Sequence, residues 1–261
     1  MDDFRARYGP WALVTGASEG IGESFARALA ARGLDLLLVA RRPGPLEELA
    51  AGLRTAHGIR VRTAAADVAR PDLLAVLDAL AGEDEVGLLV HNAAFSALGP
   101  FLDRPLADQM QVLDVNCRAP LAMAHHFGRR MATRRRGGIV LMSSLAGGQG
   151  CPMVVSYAAS KAFEIVLAEG LWDELRPAGV DVLACRAGPT RTPSYEASRP
   201  RKKVPMMEPG PVVEEALAAL GRKPVVVPGR LNRAVNFVMQ RILSRPAAIR
   251  FMGNSTRQMY E

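Results

Sequence analysis

The sequence predicts an α/β fold, a parallel sheet with helices on both of its faces. Three observations carry this. Short runs that are apolar throughout recur along the chain, such as Trp11-Ala12-Leu13-Val14-Thr15 and Leu36-Leu37-Leu38-Val39-Ala40. Segments with helical spacing of apolar residues separate these runs. A glycine-rich turn joins the first run to the first helix. A strand buried on both faces reads as a continuous apolar run, and strands that alternate with helices pair in parallel.

Residues 11–15 form the first strand, which stops at Gly16. A helix over 20–32 follows, with Ile21, Phe25, Ala28 and Leu29 on one face and Gly33 at its end. The second strand is 34–40, the next helix 46–56 and the third strand 59–65. A helix at 72–80 leads to the fourth strand, 86–91. Two long helical stretches, 103–116 and 118–134, precede a fifth strand at 138–143. A helix at 156–175 and a sixth strand at 180–186 complete the regular pattern. Residues 188–211 then hold Pro189, Pro193, Pro200, Pro205, Pro209 and Pro211 together with Arg199, Arg201, Lys202 and Lys203. A proline-rich insert after a strand end reads as a lid over a site. A short helix at 212–220 and a last strand at 225–227 follow. In the tail, Leu231, Val235, Val238, Met239 and Ile242 share one helical face, which is expected to pack on its own domain or a sister subunit; a membrane surface is the alternative. The organisation is one domain over 1–261, with the lid at 188–211 and a helical tail at 229–261.

Composition narrows the function classes. The chain has 261 residues, 49% apolar and 23% charged, which excludes a disordered protein. No apolar stretch approaches the roughly 20 residues of a membrane-spanning helix. The start of the chain lacks a basic segment followed by an apolar run, so a cytoplasmic location is expected. The net charge is +7. A basic balance can serve nucleic acid, yet the few aromatic residues do not interleave with the basic clusters, which argues against a nucleic-acid partner. Cys117, Cys151 and Cys185 form no CxxC or Cys/His cluster, so no metal site and reduced thiols are expected.

Chemistry in a parallel sheet belongs just past the strand ends. The turn Gly16-Ala17-Ser18-Glu19-Gly20-Ile21-Gly22 lets the backbone approach a pyrophosphate at a helix N-terminus. The second strand ends in Arg41-Arg42 with no acid. Guanidinium groups bind a 2′-phosphate where a carboxylate would repel it, which favours NADP(H) over NAD(H). Glu19 in the glycine turn pulls the other way. Tyr157 and Lys161 stand one turn apart on a helix, and an ammonium near a phenol favours the phenolate. Both Ser143 and Ser144, at the end of the fifth strand, carry a plausible hydroxyl.

With these motifs in order, the chain resembles the short-chain dehydrogenase/reductase family over residues 11 to about 195. The glycine turn matches the family's TGxxxGIG, and Tyr157-Ala158-Ala159-Ser160-Lys161 matches YxxxK. Ser144 stands 13 residues before Tyr157, as the family's Ser…Tyr pair requires. Asp114-Val115-Asn116 carries the family's Asn, and Asp67-Val68 its adenine-binding pair. The resemblance implies a Rossmann fold with seven parallel strands in the order 3-2-1-4-5-6-7. It implies Tyr157 as acid and base, Lys161 beside the nicotinamide ribose, Ser144 at the substrate oxygen and Asn116 behind a relay water. Gly16, Ser18, Gly20, Ile21, Gly22, Arg41, Arg42, Asp67, Val68, Asn92, Ala93, Gly188, Thr190 and Thr192 join Tyr157 and Lys161 in holding the cofactor. Two departures stand out. The family's NNAG is His91-Asn92-Ala93-Ala94 here, and its PG is Ala187-Gly188. A lone His at a strand end reads as structural.

The expected activity is NADPH-dependent interconversion of a ketone and an alcohol on a lipophilic or acyl-type substrate. Phe95, Leu98, Ala146, Gln149, Met153, Met206 and Met207 are the expected pocket residues, and the basic lid could meet carrier phosphates. The alternatives are an NAD-dependent secondary-alcohol dehydrogenase and a non-catalytic dinucleotide-binding module. Family members are usually homodimers or homotetramers, so an oligomer is expected.

Overall fold

The computed structural model describes residues 2–198, 200–201 and 204–260. The chain opens with a short helix, α1 (Asp2–Tyr8), and then alternates strands and helices: β1 (Trp11–Thr15), α2 (Gly20–Ala30), β2 (Asp35–Ala40), α3 (Pro43–His57), β3 (Val61–Ala65), α4 (Leu73–Ala81) and β4 (Val86–His91). The second half runs α5 (Leu106–Leu113), α6 (Ala119–Arg134), β5 (Gly137–Ser144), α7 (Val155–Leu175), β6 (Val180–Ala187), α8 (Pro193–Ala197), α9 (Pro209–Ala219), β7 (Val225–Val226), α10 (Arg230–Phe237) and α11 (Arg245–Tyr260). The seven strands are all parallel and lie in the order β3-β2-β1-β4-β5-β6-β7.

Successive strand residues point to opposite faces of the sheet, and here both faces are covered. Ala12, Val14, Leu36, Leu38, Leu88 and Val90 pack with Phe25 and Leu29 of α2, Leu46 of α3 and Leu217 of α9. Leu13, Leu37, Val39, Leu89 and Ile139 face the other way, onto Leu77 of α4, Phe127 of α6 and Ile165 of α7. That double cover explains the absence of polar alternation in the strands. Each such Leu or Phe removed from water contributes about 1.5–3 kcal/mol.

Three elements differ from the sequence reading. The stretches read as two helices at 103–116 and 118–134 are α5 and α6 joined by a π-helical turn, Asp114–Arg118, without a break. The proline-rich insert is not bare loop, because α8 forms within it. The tail carries two helices, and its apolar face does not pack inward within this chain. Leu231, Val235, Val238 and Ile242 are exposed, and only Met239 of that set is buried. Asn232 and Met239 are buried instead, and Arg233 bonded to Glu215 and Gln240 bonded to Gln149 tie the tail to the domain. Among the described residues no helix is long and apolar enough to cross a membrane, and no cluster of side chains could hold a metal ion.

Candidate active site

The site is built where β1 to β6 end. β1 runs into the glycine turn, and α2 starts from it. A Cβ on Gly22 would lie 2.1 Å from the Gly16 carbonyl oxygen, and one on Gly20, where φ is +60°, would lie 2.9 Å from Thr192 Cγ2. Only glycine fits these positions, so the turn presents bare backbone, with Ser18 and Ile21 half-buried beside it. No side chain caps the first-turn N–H groups of α2. Those donors and the positive end of the helix dipole are open to an anion. This cradle fits the pyrophosphate of a dinucleotide.

The end of β4 closes the turn from the side. Asn92 Nδ2 donates to the Gly16 carbonyl at 3.1 Å. Thr15 Oγ1 accepts from the N–H groups of Asn92 and Ala93 at 3.2 and 3.3 Å. His91 is fully buried with Nδ1 3.1 Å from Thr15 Oγ1. Burial, and then the Lys161 charge, push its imidazole down to about 3. It is a neutral brace between β1 and β4. Past β2, Arg41 and Arg42 are both exposed. Arg42 pairs with Glu19, whereas Arg41 has no ion pair among the described residues. Past β3, Asp67 Oδ1 accepts the Ala69 N–H at 2.9 Å, and Val68 is buried in the α4–α6 core.

β5 ends in two serines that diverge. Ser143 is buried and donates to the Lys161 carbonyl at 2.7 Å. Ser144 Oγ accepts the Ala146 N–H at 3.2 Å, and its own hydrogen has no acceptor among the described residues. Helix α7 brings Tyr157 and Lys161 alongside. The Tyr157 hydroxyl is also unbonded among the described residues, and its ring centroid is 5.6 Å from Lys161 Nζ. Lys161 is 2% exposed. Its Nζ donates to the Met142 carbonyl at 2.7 Å and to both oxygens of Glu164 at 2.9 Å. Glu164 is 0% exposed. Burial pushes its carboxyl up to about 7 against the pull of Lys161.

Asn116 lies in the π turn, where the Ala119 N–H bonds the Asp114 carbonyl five residues back. Such wide turns recur at functional sites. Its side chain is fully bonded. Oδ1 accepts the Phe95 N–H, and Nδ2 donates to the Phe95 carbonyl and to Ser160 Oγ, each at 2.9 Å. Ser160 in turn donates to the Tyr157 carbonyl at 2.8 Å. Asn116 therefore clamps the loop after β4 to α7. Past β6, Thr190 Oγ1 donates to the Gly188 carbonyl at 3.0 Å, and Thr192 caps α8 by accepting the Tyr195 N–H at 3.1 Å.

Three expected pocket residues are otherwise engaged, Phe95 by packing on the core that α4, α6 and α7 cover. Met207 packs on the α2–α9 core with its sulfur 3.3 Å from Asn232 Nδ2, and Gln149 is buried with Oε1 accepting from Gln240 at 2.9 Å. The basic lid residues Arg199, Lys202 and Lys203 lie outside the described residues. Sequence reasoning missed Glu164, Ser160 and Asn232. Glu164 did carry a signal, an acid three residues beyond Lys161 on the same helix. Asn232, from a distant tail, carried none.

The family model described as short chain dehydrogenase matches residues 10–203. A 7beta-hydroxysteroid dehydrogenase of Clostridium sardiniense is 33% identical over 234 residues, covering 88% of this chain and 90% of its own. A solved 7beta-hydroxysteroid dehydrogenase superposes with a TM-score of 0.90 at 28% identity, covering 95% of this chain and 98% of that one. A short-chain dehydrogenase from Sphingobium yanoikuyae, solved with NADPH, gives a TM-score of 0.80 at 32% identity, covering 90% and 97%. Fold, motif order and these likenesses agree: the chain belongs to the short-chain dehydrogenase/reductase family, oxidoreductases that interconvert CH–OH and C=O.

Proposed function

We propose that the protein is an NADP(H)-preferring oxidoreductase for a bulky lipophilic secondary alcohol or its ketone, of hydroxysteroid size. The observation that carries this reading is the pair of hydroxyls, Ser144 and Tyr157, whose hydrogens have no acceptor among the described residues, at the junction of β5 and α7 with the Lys161 ammonium behind them. Bound nicotinamide supplies or takes the hydride. Tyr157 Oη gives its proton to the substrate oxygen in reduction and takes it back in oxidation. Ser144 Oγ donates to the same oxygen as charge develops there. Lys161 lends positive charge to Tyr157 and an N–H to the nicotinamide ribose. Asn116 contributes through its main chain, since its side chain is bonded elsewhere, and that is where a relay water is held.

The glycine turn with Gly16, Gly20 and Gly22 holds the pyrophosphate, with Asn92 and Ala93 bracing it. Asp67 and Val68 meet the adenine. Gly188, Thr190 and Thr192 lie against the nicotinamide end. Arg41 meets the 2′-phosphate. The Clostridium relative's name and the apolar residues Leu98 and Met153 support the lipophilic class. The exposed side chains Met110, Leu113 and Leu121 along α5 and α6, with Val166 on α7, support pairing of two copies. The Arg42–Glu19 pair favours a second reading, an NAD-dependent dehydrogenase, because it removes one guanidinium from the phosphate.

Calorimetric titration with NADPH and with NADH, followed by turnover on a panel of hydroxysteroids and their ketones, tests this. NADPH binding at least ~10-fold tighter, a gap of about 1.4 kcal/mol, is expected. Tyr157→Phe should bind the dinucleotide normally and lose about 10²–10⁴-fold in turnover. Equal or tighter NADH binding would select the second reading, and normal turnover by Tyr157→Phe would refute the assigned chemistry.

A further inference from the structure

Lys161 has three N–H donors, and all three are taken. One goes to the Met142 carbonyl and two to the carboxylate of Glu164. No other side chain of the described residues bonds Glu164, which is fully buried. If Lys161 turns an N–H toward a ribose hydroxyl, it has to give up one of these partners. The Met142 carbonyl belongs to the backbone of β5 and is fixed. The carboxylate is the partner on a rotatable side chain.

Resting on the proposed dinucleotide-dependent function, we infer that Glu164 is a positioning residue that holds the Lys161 ammonium in the empty protein, releases it toward the nicotinamide ribose on binding, and takes up one proton from solvent as it does so. Lys161 remains an ammonium throughout. The proton adds to a Glu164 oxygen, and the net charge of the pair rises by one.

The chemistry demands the proton. A buried carboxylate without its cation is costly and neutralises instead. Glu164 is already held up to about 7 by burial while Lys161 opposes it, so loss of that contact moves it further up. The groups facing the pair do not compete near neutral pH. His91 on β4 is pushed down to about 3, by burial and then by Lys161. Cys117 in the π turn is pushed up to about 11, by burial and then by Glu164. Arg186 on β6 is pushed down by burial against the pull of Glu169, and a guanidinium stays a cation near neutral pH. Tyr157 faces the pair from the same helix and is removed in the test by Tyr157→Phe.

The test counts protons rather than turnover. NADPH and NADH are titrated calorimetrically into the full chain, in buffers of differing ionisation enthalpy, from pH 6 to 9. Wild type and Tyr157→Phe should take up about one proton per dinucleotide near pH 8, with Kd rising up to ~10-fold per pH unit above about 7. Glu164→Gln should lose that uptake and show a flat Kd. Using both dinucleotides separates the 2′-phosphate's own titration. Should Glu164→Gln fail to fold, the infrared difference spectrum of wild type on NADH binding serves alone, and a new protonated-carboxyl band is expected. Dinucleotide binding with the same proton count in wild type and Glu164→Gln, or with no such band, overturns the latch and leaves the proposed function standing. No binding of either dinucleotide overturns both.

Discussion

Glu19 and Arg42 face each other across the mouth of the glycine turn, and their pairing decides which arginine can meet a phosphate. Exposed ion pairs contribute only about 0.2–1 kcal/mol, so the pair subtracts from Arg42 without disabling it. Arg41 has no ion pair among the described residues. Arg41→Ala should therefore cut the NADPH/NADH affinity ratio about 10-fold, while Glu19→Gln should raise it about 3-fold by freeing a bidentate donor. Competition binding with both dinucleotides reads this directly. An unchanged ratio in Arg41→Ala would remove Arg41 from the site. The two serines show the same logic of commitment. Ser143 and Ser144 are chemically equal side chains, but Ser143 is bonded to the Lys161 carbonyl, and among the described residues Ser144 has no acceptor for its hydrogen.

Among the elements, the β1–α2 turn and the π turn shape the candidate site. The first was legible because its constraint is steric and local. A side chain at position 22 meets the backbone of position 16 whatever else the chain does. Gly22→Ala must push the turn open, and dinucleotide affinity should fall at least ~10-fold, about 1.4 kcal/mol, with the far-ultraviolet circular dichroism unchanged. Retained affinity would mean the pyrophosphate does not sit on this turn. The π turn was not legible. It inserts one residue into a helix without any change in composition, so residues 103–134 read as two helices. Its effect is to deliver Asn116 to Phe95 and Ser160. The tail was half legible. Its helical character was right, but a π turn at Val238–Ile242 splits the expected face, most of the stripe is exposed, and buried residues with polar bonds such as Gln240 to Gln149 make the contact.

At the scale of the whole molecule, two buried groups shape stability against pH. His91 titrates near 3 in the folded chain against an ordinary 6.5, and Glu164 near 7 against an ordinary 4.5. Below about 6.5 the unfolded chain gains the His91 proton first, so stability falls as pH drops across that window. Glu164 keeps its proton when folded and loses it when unfolded, so stability falls as pH rises from about 4.5 to 7. Between about 4.5 and 6.5 the two slopes, each about 1.4 kcal/mol per pH unit, cancel. Glu164→Gln should therefore convert that interval into a rising limb relative to wild type, and His91→Asn into a falling one. Urea midpoints from pH 3 to 8 measure it. Parallel curves for wild type and Glu164→Gln would show that the carboxyl is not buried as described.

The doubly wound sheet was legible from the residues alone, since continuous apolar strands, crossover helices and a glycine turn admit few other arrangements. Motif spacing, a one-dimensional property, also singled out Ser144, Tyr157, Lys161 and Asn116 as the candidate site. Which donors and acceptors are already engaged emerges only from the folded chain. The Arg42–Glu19 pair, the Asn116–Ser160 clamp and the Lys161–Glu164 bond depend on side-chain directions after folding. Burial turned Glu164 from an ordinary acid into a group that titrates near neutrality, because the energy of a charge is set by what surrounds it and not by its neighbours in the chain.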